Sequence, residues 1–146
     1  MTTLSIIYWS GTGNTEGMAN AIAEGARNAG ANVTLIPVSQ ATTNDVFNAD
    51  IVALGCPAMG AEELEDTEME PFVTSLKDEK LQDKPMILFG SYDWGDGEWM
   101  EEWEKRMTQY GAKIIADSVI LQGYPSSTGI EKCQQFGKQI VTQPNH

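Results

Sequence analysis

The sequence predicts a doubly wound α/β protein, a three-layer α/β/α stack in which five parallel strands carry helices on both faces. Three observations point there. Strand-like and amphipathic-helix patterns alternate regularly along the 146 residues. The run Ile51-Val52-Ala53-Leu54-Gly55-Cys56 is apolar throughout, as a central parallel strand must be when both its faces are covered. A loop of glycines, hydroxyls and an amide, residues 10–15, stands between a strand and a helix. A chain of this length, 1–146, is expected to form one domain whose core needs neither metal nor disulfide.

The elements follow in order. Leu4–Trp9 is an apolar strand, and Thr15–Ala29 is a helix that Gly30 ends. Asn32–Pro37 is a second strand with Val33 and Leu35 alternating with polar neighbours. Asp45–Asn48 makes a short helical turn before the third strand, Ile51–Cys56. Glu68–Leu81 is a helix that tolerates Pro71 because it falls in the first turn. Pro85–Ser91 is the fourth strand, Gly97–Tyr110 a helix closed by Gly111, Lys113–Leu121 the fifth strand and Thr128–Thr142 the last helix. Trp99 and Trp103, four residues apart, share one helix face and read as packing residues. Gln143–His146 is a frayed tail in this reading.

Composition narrows the function. The formal net charge is -12, from 9 basic and 21 acidic residues. Phosphate backbones and anionic membrane surfaces need basic patches, so neither nucleic acid nor membrane is an expected partner. Basic protein faces are. Cys56 and Cys133 lack metal-ligand spacing and read as two free thiols in a reducing cytosol. Met1-Thr2-Thr3 leads straight into a strand without a basic signal region, and no apolar run approaches the ~20 residues of a membrane span. The expectation is a soluble cytoplasmic protein.

In a doubly wound sheet, ligands bind at the carboxyl ends of strands, where strand order reverses. The loops 10–15, 57–66 and 92–97 should therefore converge. The first, Ser10-Gly11-Thr12-Gly13-Asn14-Thr15, suits a phosphate. A helix N-terminus offers outward N–H groups and a favourable dipole, glycines allow close approach, and the hydroxyls and amide add donors. It contains no Lys or Arg. The plainer alternative is a helix cap with Thr15 as N-cap. The motif G-x-x-x-x-G-K-[ST] is absent, so nucleotide hydrolysis is unsupported. The second loop, Pro57–Asp66, is acidic and reads alone as a solvated surface loop. The third, Tyr92-Asp93-Trp94-Gly95-Asp96-Gly97, places an aromatic outside any helical period, which suits stacking on a planar ligand. Trp9, at a strand end, suits core and site equally.

Together the three loops resemble those of short-chain flavodoxins, over essentially the whole chain and closest in pattern to the clostridial type. Ser10–Thr15 resembles the family's phosphate loop, Gly55–Gly60 its first flavin loop and Gly90–Gly97 its second. The long insertion in the last strand of long-chain members is missing. The resemblance implies the flavodoxin-like strand order 2-1-3-4-5, non-covalently bound FMN, and a monomeric low-potential carrier rather than an enzyme. That carrier would move one electron at a time, mainly between semiquinone and hydroquinone. It also implies residue roles. Ser10, Gly11, Thr12, Gly13, Asn14 and Thr15 hold the phosphate, with Ser91 adding a hydroxyl. Pro57, Ala58, Met59, Gly60, Ala61 and Glu62 form one side of the flavin site, Met59 lying on the inner ring face and Glu62 accepting the flavin N3–H. Tyr92, Asp93, Trp94 and Gly95 form the other, with Trp94 on the outer face. Relatives often carry serine in place of Pro57 and glycine in place of Asp93. Implied partners are reductases and iron–sulfur oxidoreductases with basic docking faces. The alternative is an FMN-dependent quinone reductase of similar fold. A receiver would need acidic residues where Tyr8-Trp9-Ser10 stands, and a low-molecular-weight phosphatase an Arg where Glu62 stands.

Two electrostatic expectations follow from the implied flavin. A flip of the Gly60–Ala61 peptide would offer a carbonyl to N5–H of the semiquinone, a bond the oxidised ring cannot make. The acidic residues Glu62, Glu63, Glu65, Asp66, Asp93 and Asp96 would oppose the hydroquinone anion. One such charge ~10 Å away is worth roughly 0.4–1.7 kcal/mol. Gly60→Val should lower the first one-electron potential by tens of millivolts, the equivalent of about one hydrogen bond. Potentiometric titration with an unchanged semiquinone yield would contradict it.

Overall fold

A computed structural model describes residues 2–9, 11, 13–59, 64–77, 81–92, 97–123 and 125–142. The chain runs β1 (Thr3–Tyr8), α1 (Asn14–Asn28), β2 (Asn32–Pro37), α2 (Thr43–Phe47), β3 (Ile51–Gly55), α3 (Met69–Lys77), β4 (Pro85–Tyr92), α4 (Glu98–Gln109), β5 (Lys113–Ile114), β6 (Val119–Gln122) and α5 (Ser127–Thr142). A single 3-10 turn, Val38–Gln40, follows β2. The strands are parallel in the order β2-β1-β3-β4-β5, with β6 also paired to β4.

Strand alternation divides the apolar residues between two cores. Ile7, Val52, Leu54, Met86 and Leu88 face α2, α3 and α4. Leu4, Ile6, Ile51, Ala53, Ile87 and Phe89 face α1 and α5. β3 is buried at every position, as its unbroken apolar run requires. On α4, Trp99 and Trp103 are buried packing residues. Neither indole N–H finds an acceptor among the described residues. That costs about 1–3 kcal/mol each, less than the roughly 4–6 kcal/mol gained by burying rings of about 150–250 Å².

On the other face, α1 and α5 touch backbone to backbone. A Cβ on Gly25 would sit 1.9 Å from the Gln134 carbonyl oxygen, and one on Gly137 would sit 2.1 Å from that of Ile22. This crossing holds α1 in place on the sheet.

The element boundaries shift in three informative places. The helix expected from Thr15 begins at Asn14, with Gly13 as its N-cap at φ +94°, so Thr15 lies inside the first turn and caps nothing. The helix expected from Glu68 begins at Met69, with the Glu68 carbonyl accepting the Phe72 N–H at 3.2 Å from the N-cap position. The expected fifth strand, Lys113–Leu121, is two strands. Pro85 and Met86 pair with Lys113 and Ile114, whereas Phe89 pairs with Val119. The excursion between them is held by Ser118 Oγ donating to Glu104 Oε2 at 2.6 Å.

Because the α1–α5 crossing has no room for a side chain, Gly137→Ala should destabilise the fold by about 1–3 kcal/mol through overpacking. Urea denaturation reads this, and an unchanged midpoint would contradict it.

Candidate functional site at the strand ends

Hydrogen bonds carry the ladder past the ends of β1 and β3. The Trp9 N–H donates to the Gly55 carbonyl at 3.0 Å, Cys56 N–H to Phe89 at 3.2 Å and Ala58 N–H to Ser91 at 2.9 Å. The segments leaving β1 and β3 therefore start out beside β3 and β4. Between them lies a cavity of about 120 Å³, lined among the described residues by Trp9, Gly11, Asn14, Pro57, Ala58, Met59, Ser91 and Tyr92. A larger groove, about 760 Å³, lies between α4 and Ile114–Asp117, beside the amino-terminal half of β4 and away from this convergence.

On the β1 side, Gly13 gives α1 a left-handed cap without a side chain, and the Gly17 N–H closes the first turn on the Gly13 carbonyl at 2.9 Å. The Trp9 indole covers Gly11, where a Cβ would meet the ring at 2.9 Å. Its Nε1–H donates to Glu68 Oε1 at 3.0 Å. Trp9 thus serves both core and site: it packs on the α3–α4 core, lines the cavity and tethers β1 to the start of α3. Thr15 is buried and its Oγ1 lies 2.9 Å from Ser91 Oγ, joining the first turn of α1 to β4.

On the β3 side, Pro57, Ala58 and Met59 are half-buried at the cavity. On the β4 side, Ser91 is buried, and the half-buried Tyr92 ring packs at 5.8 Å from that of Trp99. Of the expected site, Gly11, Asn14, Pro57, Ala58, Met59, Ser91 and Tyr92 meet at one cavity, with Gly13 and Thr15 behind it. Ser10, Thr12, Gly60, Ala61, Glu62, Asp93, Trp94 and Gly95 lie outside the described residues, as do Glu63 and Asp96.

Glu65 was expected among the solvated acidic residues, yet it is 3% exposed. Its carboxylate accepts the N–H groups of Thr67 at 2.7 Å, Glu68 at 2.8 Å and Met69 at 2.9 Å, together with the Thr67 hydroxyl. The Met69 N–H is an orphan donor of α3 and the other two lie in the turn leading into it, so Glu65 caps the helix entry with a full charge at its positive end. Burial works to raise the Glu65 carboxyl, but these hydrogen bonds outweigh it and hold the group below its usual value. The sequence signal was the run Glu65-Asp66-Thr67-Glu68 just ahead of an apolar helical period. A further tie, from Arg106 to both carboxylate oxygens of Glu70, fixes α4 to α3, holding the Glu70 carboxyl low and raising the Arg106 guanidinium.

A glycine-capped helix terminus at the reversal point of a 2-1-3-4-5 parallel sheet, with hydroxyl, amide, thioether and aromatic groups beside it, defines an α/β protein built for an aromatic phosphate ester. The described cavity lining holds no Lys or Arg. A family profile described as Flavodoxin matches residues 6–137. Flavodoxin of Megasphaera elsdenii is 49% identical over 135 residues, covering 92% of this chain and 96% of that protein. Flavodoxin of Clostridium beijerinckii is 45% identical over 138 residues, covering 94% and 99%. The solution structure of two-electron reduced M. elsdenii flavodoxin superposes with a TM-score of 0.87 at 43% identity, over 96% of this chain and 99% of that one. The chain belongs to the flavodoxin family, whose members are electron carriers that bind FMN. The cavity lining suits that cofactor's chemistry: Asn14 and Ser91 offer uncharged hydrogen-bonding groups, and Met59 and Tyr92 offer apolar surface.

The Glu65 cap sets a pH dependence. Its carboxyl is depressed in the fold, so its stabilisation is fully present above the ordinary carboxylate range and is lost as pH falls through the folded value. Glu65→Gln should cost about 1–2 kcal/mol at neutral pH, with the difference from wild type shrinking in acid. Paired urea melts at neutral and acid pH check this; a difference independent of pH would contradict it.

Proposed function

We propose that the protein shuttles single electrons on FMN seated across the ends of β1, β3 and β4, working at the lower of the flavin's two one-electron couples. The observation that carries this reading is the meeting of the α1 terminus, Met59 and Ser91–Tyr92 at one cavity. The bound flavin supplies the redox chemistry, and the chain supplies orientation and electrostatics. Ser10, Thr12 and Asn14 hold the phosphate with neutral donors, on a floor braced by the Thr15–Ser91 hydroxyl pair. Met59 and Trp94 exclude water from the two ring faces. Glu62 would accept a hydrogen bond from the flavin N3–H, and the Gly60 carbonyl would face N5. The backbone around Asp93–Gly95 meets the remaining ring edge.

The charge balance explains why the couple should be low. The chain carries -12, and its phosphate loop adds no cation to offset a reduced, anionic ring. The same field favours basic faces on partner reductases and iron–sulfur oxidoreductases, raising encounter rates at low salt. No helix among the described residues is long and apolar enough to cross a membrane.

Stepwise anaerobic reduction followed by absorbance tests the reading. The expected result is two resolved one-electron steps, the lower potential rising by tens of millivolts between about 10 mM and 1 M salt as screening shortens the reach of the acidic residues. A single two-electron step, or a protein that takes no FMN, would overturn it.

A further inference from the structure

We propose that Cys56 is a positioning residue for the flavin-facing loop, its thiol tying the loop's entry at Pro57 to its exit at Glu65. The inference rests on the FMN reading of the site. Cys56 is fully buried at the end of β3. Its Sγ–H donates to the Pro57 carbonyl at 3.4 Å, and its sulfur accepts the Glu65 N–H at 3.4 Å. A thiol can do both at once, as a weak donor and a weak acceptor. Burial pushes the thiol up to about 12, so it remains protonated and keeps its donor role at neutral pH.

Both ends of the tie are themselves anchored. At the entry, the Cys56 and Ala58 N–H groups are bound to β4. At the exit, the Glu65 carboxylate is spent on the entry to α3, and Glu68, just before that helix, holds the Trp9 indole. The thiol is the one described link that joins these two anchors directly. It fixes the separation of Pro57 and Glu65, the two ends of the segment that carries Met59. A loop closed at its base loses less conformational freedom on binding than one open there, so the tie contributes affinity without touching the ligand.

The test compares Cys56→Ala, Cys56→Val and Cys56→Ser with wild type as purified. Alanine and valine remove both hydrogen bonds, valine without leaving a cavity; serine keeps a donor and an acceptor. Hydrogen–deuterium exchange at the Glu65 amide reads the tie, with the Ile87 amide in β4 as control. Loss of FMN on dilution, followed by flavin fluorescence, reads its consequence. In the alanine and valine proteins, Glu65 exchange should quicken about tenfold and FMN dissociation constants rise about tenfold, the scale of one buried hydrogen bond. Serine should restore both to within about threefold, and Ile87 should not change. Wild-type behaviour of the valine protein, equal impairment by serine, or faster exchange without weaker FMN binding would each overturn the proposal. Wild-type protein that binds no FMN would defeat the functional reading, whereas normal FMN binding in every variant would defeat only this one.

Discussion

The reversal of strand order between β1 and β3 is the constraint on which the site depends. From β1 the chain passes to α1 on one face and returns through β2; from β3 it passes to α3 on the other. The two connections separate, and a crevice opens at the carboxyl ends with the amino end of α1 beside it. The position of that helix end is then set by packing. Gly25 and Gly137 let α1 and α5 meet at backbone distance, and the Thr15–Ser91 hydroxyl pair joins the first turn of α1 to β4. A phosphate site made of backbone dipoles has value only if the dipoles cannot move, and these contacts supply that rigidity.

The same arrangement separates the duties of the acidic residues. Glu65 and Glu70 are structural: the first caps α3, the second binds Arg106 on α4. Glu68 holds the Trp9 indole. The Glu65 and Glu70 carboxyls are held low by those partners, so both stay charged while fixing the frame.

Most of the architecture was legible because it follows from local pattern. The apolar run Ile51–Cys56 reads as a central strand, and the spacing of Trp99 and Trp103 reads as a packed helix face, as the structure has them. What escaped the sequence depends on pairing between distant segments. The break between β5 and β6 is a change of register against β4, which no window of sequence contains. Glu65 resembled its acidic neighbours until the α3 N–H groups gave it partners. Trp9 was ambiguous because its ring and its N–H serve different elements, the ring packing over Gly11 and the N–H reaching α3. In the site, residue types and order were readable, whereas the ties that hold the loops, through Cys56, Ser91 and Glu68, were not.

The central claim is that the neutral loop at the start of α1 is the anchor, gripping a phosphate and thereby placing the ring against the other two loops. Comparing FMN with riboflavin, its phosphate-free form, tests this most directly. The account predicts that FMN binds at least about a hundredfold more tightly, since two or more good hydrogen bonds to a charged group are lost with the phosphate. Equal affinity for FMN and riboflavin would contradict it.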